Sequence, residues 1–307
     1  MKFSAGLTAR WIALLFLIIT GFSPALAGEA DKFHLNIGFS SRVFVNVPRE
    51  DVKIAIQVLA RKIAAKTVGS ADSRIYDGNS EIERALKAKT LDMVALMPEQ
   101  FVQMREQTLL EPIMATATGK SSELELLLLA RKDYGINRFA ELRNRTIALP
   151  AENAQFGTIY RTWLENMVMK EGFKSAPAFF SSVTETRGAS QAVMSAFFRK
   201  TDACIVSSNA FEVLNELNPQ LARDLKVIAK IGKLVGGIVA VRQDLPTERK
   251  QKVRHILKTL HEDPDGKQVL VLFQLSGIRE FQPDNLKATE AMLAENRTLK
   301  KRFANRR

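Results

Sequence analysis

The stretch Lys89-Thr90-Leu91-Asp92-Met93-Val94-Ala95-Leu96-Met97-Pro98-Glu99-Gln100-Phe101 reads as the tail of one helix, an aspartate opening a short apolar strand, and the head of the next helix. The same order returns at an offset of 110 residues in Arg199-Lys200-Thr201-Asp202-Ala203-Cys204-Ile205-Val206-Ser207-Ser208-Asn209-Ala210-Phe211, where Asp202 falls on Asp92 and Phe211 on Phe101. Two similar α/β lobes would produce this repeat, and so would a chance likeness between two helix-strand-helix units. Around both copies, short apolar runs alternate with helical patterns, the signature of α/β architecture with mostly parallel strands.

On the first side, Leu35–Phe39 alternates as a strand, and Val52, Ile56, Leu59 and Ile63 recur at helical spacing. A short strand over 74–77 leads to Gly78-Asn79-Ser80, where Ser80 and Glu83 form a capping box. Strands near 113–116 and 124–130 follow. On the second side come strands at 146–150, 178–180, 203–206 and 225–229, with helices over 157–170, 191–199 (capped by Ser190) and near 210–216. Gly237–Val241 is a further apolar run, with helices from about Thr247 and Pro264.

Residues 1–27 carry an export signal: Lys2 and Arg10 supply positive charge, Trp11–Ile19 the apolar stretch and Ala25-Leu26-Ala27 a small-x-small cleavage site, so the mature chain starts near Gly28. Thr20, Gly21 and Pro24 break the run short of the roughly 20 apolar residues a membrane span needs. The chain is therefore expected to be exported.

The 307 residues are 46% hydrophobic and 25% charged, with 45 Lys+Arg against 33 Asp+Glu and a single cysteine, which excludes disordered, collagenous and disulfide-scaffold chains. The positive excess is partly local, since residues 287–307 hold seven bases against Glu290 and Glu295. Leu286, Leu293, Leu299 and Phe303 could line a helix there, but a solvated basic tail is the expectation, with a membrane surface or an acidic partner as its possible contact. No nucleic-acid module is present.

Enzymatic motifs fail on inspection. Gly119-Lys120-Ser121 lacks the glycine that a phosphate-binding loop needs at 115, which is Ala. Gly188-Ala189-Ser190-Gln191-Ala192 misses the second glycine of a nucleophile elbow. His34, His255 and His261 never pair on one helical face, so no metal is expected, and Cys204 reads as a buried, inert thiol. No catalytic pair and no cofactor are expected. What remains are polar loops after strands, where ligands of open α/β sheets bind. From these we select Ser40, Ser41, Arg42, Gln155, Thr158, Ser182, Ser207 and Ser208: hydroxyls, an amide and one Arg at helix starts suit a small anionic or strongly polar solute.

Arg145-Thr146-Ile147-Ala148-Leu149-Pro150, Thr201–Val206, Gly237-Ile238-Val239-Ala240-Val241-Arg242-Gln243-Asp244-Leu245-Pro246, and Leu127–Arg131 followed by Lys132-Asp133, in this order and spacing, resemble the phosphate/phosphite/phosphonate type of periplasmic solute-binding protein of ABC transporters. The likeness spans roughly residues 33–281. It implies a two-lobed type 2 periplasmic binding fold, with mixed, mostly parallel sheets flanked by helices and a ligand cleft between lobes that close by hinge motion. Lobe one would comprise 28–123 plus 238–290 and lobe two 124–237, with 291–307 as the basic tail. Asn153-Ala154-Gln155-Phe156-Gly157 stands where the family carries an Asn-Ser-Thr-Ser-Gly-like run, and Ser207-Ser208-Asn209 holds no acid for an ammonium group. The solute expected is therefore phosphate- or phosphonate-like in class, without phosphonate itself being singled out. The implied partner is an ABC permease; the alternative is a membrane sensor kinase or cyclase.

Overall fold

A computed structural model describes residues 34–44, 48–67, 69–117, 123–152 and 156–305. The export signal, Gln155 and the last two arginines lie outside the described residues. The chain runs β1 (His34–Ser40), α1 (Arg49–Thr67), β2 (Ser70–Tyr76), α2 (Asn79–Lys87), β3 (Met93–Leu96), α3 (Pro98–Thr108) and β4 (Leu110–Ala117) before crossing to β5 (Leu124–Arg131). There follow β6 (Thr146–Pro150), α4 (Gly157–Lys170), α5 (Ala176–Phe179), β7 (Ser182–Thr186), α6 (Ala189–Phe197), β8 (Ala203–Ser207), α7 (Ser208–Leu217), α8 (Gln220–Asp224) and β9 (Leu225–Leu234). The return is β10 (Gly237–Arg242), α9 (Thr247–Lys258), α10 (Pro264–Leu272), β11 (Gly277–Glu280) and α11 (Lys287–Ala304).

Two sheets result, ordered β11-β4-β10-β3-β1-β2 and β7-β6-β8-β5-β9. Each sets a parallel trio beside antiparallel strands: β1 pairs parallel with β2 and β3, β6 with β7 and β8, while β10 and β5 run against β3 and β8. Parallel neighbours need crossover helices, which cover the sheet faces and allow runs such as Ala203–Val206 to be buried throughout.

The internal repeat is structural. Ile37 lies opposite Met93 in the first sheet and Ile147 opposite Ala203 in the second, and Asn36 faces Asp72 as Thr146 faces Ser182. Asp92 accepts the Asn36 N–H at 2.8 Å, and Asp202 accepts the Thr146 N–H at 2.8 Å. Each carboxylate thus satisfies a strand amide at the sheet's open end, where no further ladder partner exists. Even the left-handed residues that end the preceding helices correspond, Lys89 at φ 57° and Arg199 at φ 62°.

Several local expectations are corrected. Residues 178–180 are not a strand: Pro177 follows Ser175 at the head of the short α5, and the strand is β7, starting at Ser182. The Ser80/Glu83 capping box does not form; α2 starts at Asn79 after Gly78, and Glu81 reaches back to the Asp77 N–H at 3.3 Å. Ser190 does not cap α6, which opens at Gly188 with Gln191 accepting from the Arg187 N–H at 3.0 Å. The Arg131 and Asp133 of the Leu127–Asp133 motif serve the scaffold. The Arg131 guanidinium binds both Asp133 oxygens at 2.9 and 3.0 Å and the Phe197 carbonyl at 2.8 Å, pinning the end of α6 to β5.

The C-terminal segment is not a solvated tail. Its residues 287–304 form α11, which buries Met292, Leu293 and Leu299 and packs on α3 and β9 as well as α4. Asn296 donates to Asn166 of α4 at 2.7 Å, and Asn166 donates to the Met292 carbonyl at 2.9 Å; both side chains are buried. Lys170–Glu295 and Arg105–Glu290 ion pairs flank this network. Arg297, Lys300, Lys301 and Arg302 face solvent on the other side of the helix. The amphipathic spacing of its apolar residues wins because α3, α4 and β9 together offer it a surface to cover.

Candidate functional site

Register places the site. Gly237 lies opposite Thr116, Ile238 opposite Leu96 and Leu126 opposite Ser207, so β4 and β9 end and β5 and β10 begin at the carboxyl ends of β3 and β8. The carboxyl ends of β1, β3, β6 and β8 therefore face one another, and the amino ends of α3, α4 and α7 open toward that space.

From the first sheet, Ser40 is buried at the end of β1, and its hydroxyl accepts the Arg42 N–H at 3.3 Å, capping a single 3-10 turn over Ser41–Val43. That turn presents the Arg42 side chain outward. Ser41 hydrogen-bonds the Asp77 carboxylate, which Arg49 grips through both oxygens at 3.1 and 3.2 Å. The Arg49 hydrogen bonds, with help from Ser41, hold Asp77 below the usual carboxylate range. Arg42 Nη1 donates to Thr158 Oγ1 at 3.2 Å, a contact between residues 116 apart in the chain, one in the turn after β1 and the other in α4. Beside it, Val43 and Met97 pack into the apolar cluster of Phe156, Tyr160 and Leu126, so the two halves meet through side chains as well as through crossovers.

From the second sheet, Thr158 lies in the first turn of α4. The turn is tight: Phe156 caps it in the left-handed region at φ 60°, and a Cβ on Gly157 would stand 2.0 Å from the Ala151 carbonyl oxygen. Only glycine lets this backbone pass. Ser207 caps α7 by accepting the Ala210 N–H at 3.3 Å and is hydrogen-bonded to the Tyr160 hydroxyl, whose own ionisation burial pushes up to about 12. Ser208 follows, half-buried in the first turn.

Of the eight residues selected from sequence, the structure brings Ser40, Ser41, Arg42, Thr158, Ser207 and Ser208 to the facing strand ends. Gln155 lies outside the described residues. Ser182 is a correction: paired with Thr146, it stands at the amino end of the second sheet, beside Asp202 and remote from the crossovers. Misreading 178–180 as the strand shifted the expected loop to the wrong end of β7. The residue at its carboxyl end is Thr186, whose hydroxyl donates to the Leu149 and Gly188 carbonyls at 3.3 and 3.0 Å.

The sequence patterns do not single out Glu99. It occupies the first turn of α3, is 2% exposed, and its Oε2 has no hydrogen-bond partner. Burial raises its carboxyl to about 7, against the opposing pull of its own N–H and the Arg42 charge. Its neighbour Gln100 is committed, accepting the Met97 N–H at 3.2 Å and donating to Asn79 at 2.6 Å. An acid immediately after the apolar strand and Pro98 was the available signal. Cys204 is fully buried, with its thiol pushed up to about 12 by burial, so it is chemically quiet. Among the described residues no group of His, Cys, Asp and Glu could hold a metal ion.

No curated protein matches the chain. Among solved structures, XAC2383 from Xanthomonas citri, bound to ATP, superposes at TM-score 0.64 and 15% identity, covering 87% of this chain and 98% of that one. PhnD1 from Prochlorococcus marinus, in complex with methylphosphonate, gives 0.58 and 15%, covering 85% and 97%. A binding protein component of an ABC phosphonate transporter from Pseudomonas aeruginosa gives 0.54 and 18%, covering 90% and 99%. At these identities the likeness is one of fold, and the fold is the two-lobed α/β architecture of periplasmic binding proteins. Residues 44–286 match the family described as ABC transporter, phosphonate, periplasmic substrate-binding protein, and the chain belongs to that family.

Proposed function

We propose that this periplasmic substrate-binding protein captures a small anion of the phosphate- or phosphonate-like class between its lobes, closes over it about the two crossovers, and delivers it to an ABC permease. The observation that carries the reading is the Arg42–Thr158 hydrogen bond between the lobes at 3.2 Å. A cation from one lobe meets a hydroxyl and helix N-terminus of the other, so an oxyanion placed there would be shared by both halves. Closure then replaces the solute's hydration with guanidinium, hydroxyl and amide donors in a space shielded from water. Ser208 adds a donor from α7, Ser207 fixes that turn by capping it and bonding Tyr160, and Ser40 and Ser41 hold the turn that aims Arg42. By contrast, the apolar cavity of about 60 Å³ beneath Phe44, lined by Phe39, Met93 and Phe273, offers an anion little.

The test is calorimetric titration of the mature protein with phosphate, phosphite, methylphosphonate, methanesulfonate and ATP. ATP belongs in the panel because XAC2383 holds it and because its terminal phosphate presents the same oxyanion chemistry. Arg42→Ala should weaken binding about tenfold to a hundredfold, as loss of a charge-assisted bond does, against a few-fold for Thr158→Ala, Ser207→Ala or Ser208→Ala. Equal, small losses across all four variants would sink the assignment.

A further inference from the structure

Glu99 has no role in an anion site built only of donors, yet it sits at that site. Its carboxyl is buried in the first turn of α3, Oε2 is unpaired, and Met97, the cap of the same helix, packs against the other lobe. The polar groups on the elements packed against α3 are otherwise engaged. Asn79 from α2 is tied to Gln100 and Gln103. Glu290 from α11 pairs with Arg105, two turns further along α3. Glu111 of β4 binds Lys250 and Arg254. Arg242 of β10 stands at the far end of its strand with Asp92. The charge that acts on Glu99 is Arg42, the same cation that reaches across to Thr158.

An ionised carboxylate here would repel an incoming anion and compete with it for Arg42; a protonated one would offer a donor. We infer that the cleft takes up one proton with its anion, held between Glu99 Oε2 and a ligand oxygen, which makes Glu99 a determinant of which anions bind. The inference rests on the anion-binding reading above. The proton comes from solvent, and no bond within the ligand changes. Burial has prepared the group, since its carboxyl already titrates at about 7 in the empty protein, and a neighbouring negative charge raises it further. The anions favoured are those presenting an unprotonated oxygen to Glu99.

The experiment measures affinity and proton uptake by calorimetry in buffers of different ionisation enthalpy, from pH 5.5 to 8.5, for wild type and Glu99→Gln. The probes are methanesulfonate, which does not titrate in this range, and methylphosphonate. Wild type should lose affinity about tenfold per pH unit above 7 and take up close to one proton at pH 8, both relative to Glu99→Gln. The same slope and the same uptake in both proteins would overturn the inference while leaving anion binding intact. Should neither probe nor any other anion of the panel bind at any pH, the cleft reading falls and the inference with it. If Glu99→Gln fails to fold, carboxyl 13C titration of wild type decides: a pKa that rises on adding anion supports the shared proton, and an unchanged or lowered one refutes it.

Discussion

Replacing Glu99 by Gln should make the empty protein more resistant to unfolding at pH 8 relative to wild type, by an amount that depends on pH. The carboxyl is 2% exposed with Oε2 unpaired, so folding removes it from water without full compensation. Raised from 4.5 to about 7, it holds its proton about 3 kcal/mol more tightly in the folded chain than in the unfolded one. Below pH 4 both states are protonated and the group is neutral to stability. Between 4.5 and 7 the folded chain binds more protons than the unfolded, so stability falls as pH rises, and above 7 the loss is complete. Gln carries no titrating proton and escapes this loss, while every other carboxylate is common to both proteins. Urea unfolding at pH 4.5 and pH 8 should therefore show the Gln variant gaining about 3 kcal/mol on wild type between the two conditions. A difference independent of pH would show that Glu99 is solvated or paired in solution, and the reasoning from its burial would fail.

Two further perturbations probe the scaffold around the site. Gly157→Ala drives a Cβ to 2.0 Å from the Ala151 carbonyl and 2.6 Å from that of Glu152, so the first turn of α4 must shift; Tm should drop by about 5 °C and anion affinity should fall with it, and an unchanged Tm would disprove the close approach. Asn296→Ala leaves the buried Asn166 Oδ1 without its 2.7 Å donor, which should cost about 2 kcal/mol in denaturant unfolding; a neutral result would mean α11 is not docked on α4 as described.

Much of the frame was legible in the chain. The offset that aligns Asp92 with Asp202 also aligns the strand pairings Ile37–Met93 and Ile147–Ala203, because an aspartate just before a strand and an apolar run behind it report one local hydrogen-bonding pattern. The site was legible in part for the same reason. Serines and Arg42 just after recognisable strands had to lie at strand ends. Where the strand itself was misread the site residue went astray, as with Ser182: an aromatic pair following Pro177 looks strand-like, and nothing local in the alternating Ser182–Thr186 announces which sheet end it occupies. The amphipathic spacing of Leu286, Leu293 and Leu299 was visible too, but whether such a helix docks or stays solvated depends on a surface supplied by residues over a hundred positions away.

By itself, then, the sequence determined the α/β class, the family and most of the polar strand ends, and it offered the repeat without deciding it, since periodicity, capping and strand-opening residues act over a few neighbours along the backbone. Tertiary structure alone decided that Arg42 meets Thr158, that Glu99 is buried with its Oε2 unpaired, and that α11 covers both lobes. These are statements about desolvation and pairing between segments distant in the chain. A side chain's charge, donor capacity and exposure follow from which segments pack around it, and the local pattern of residues does not contain that information.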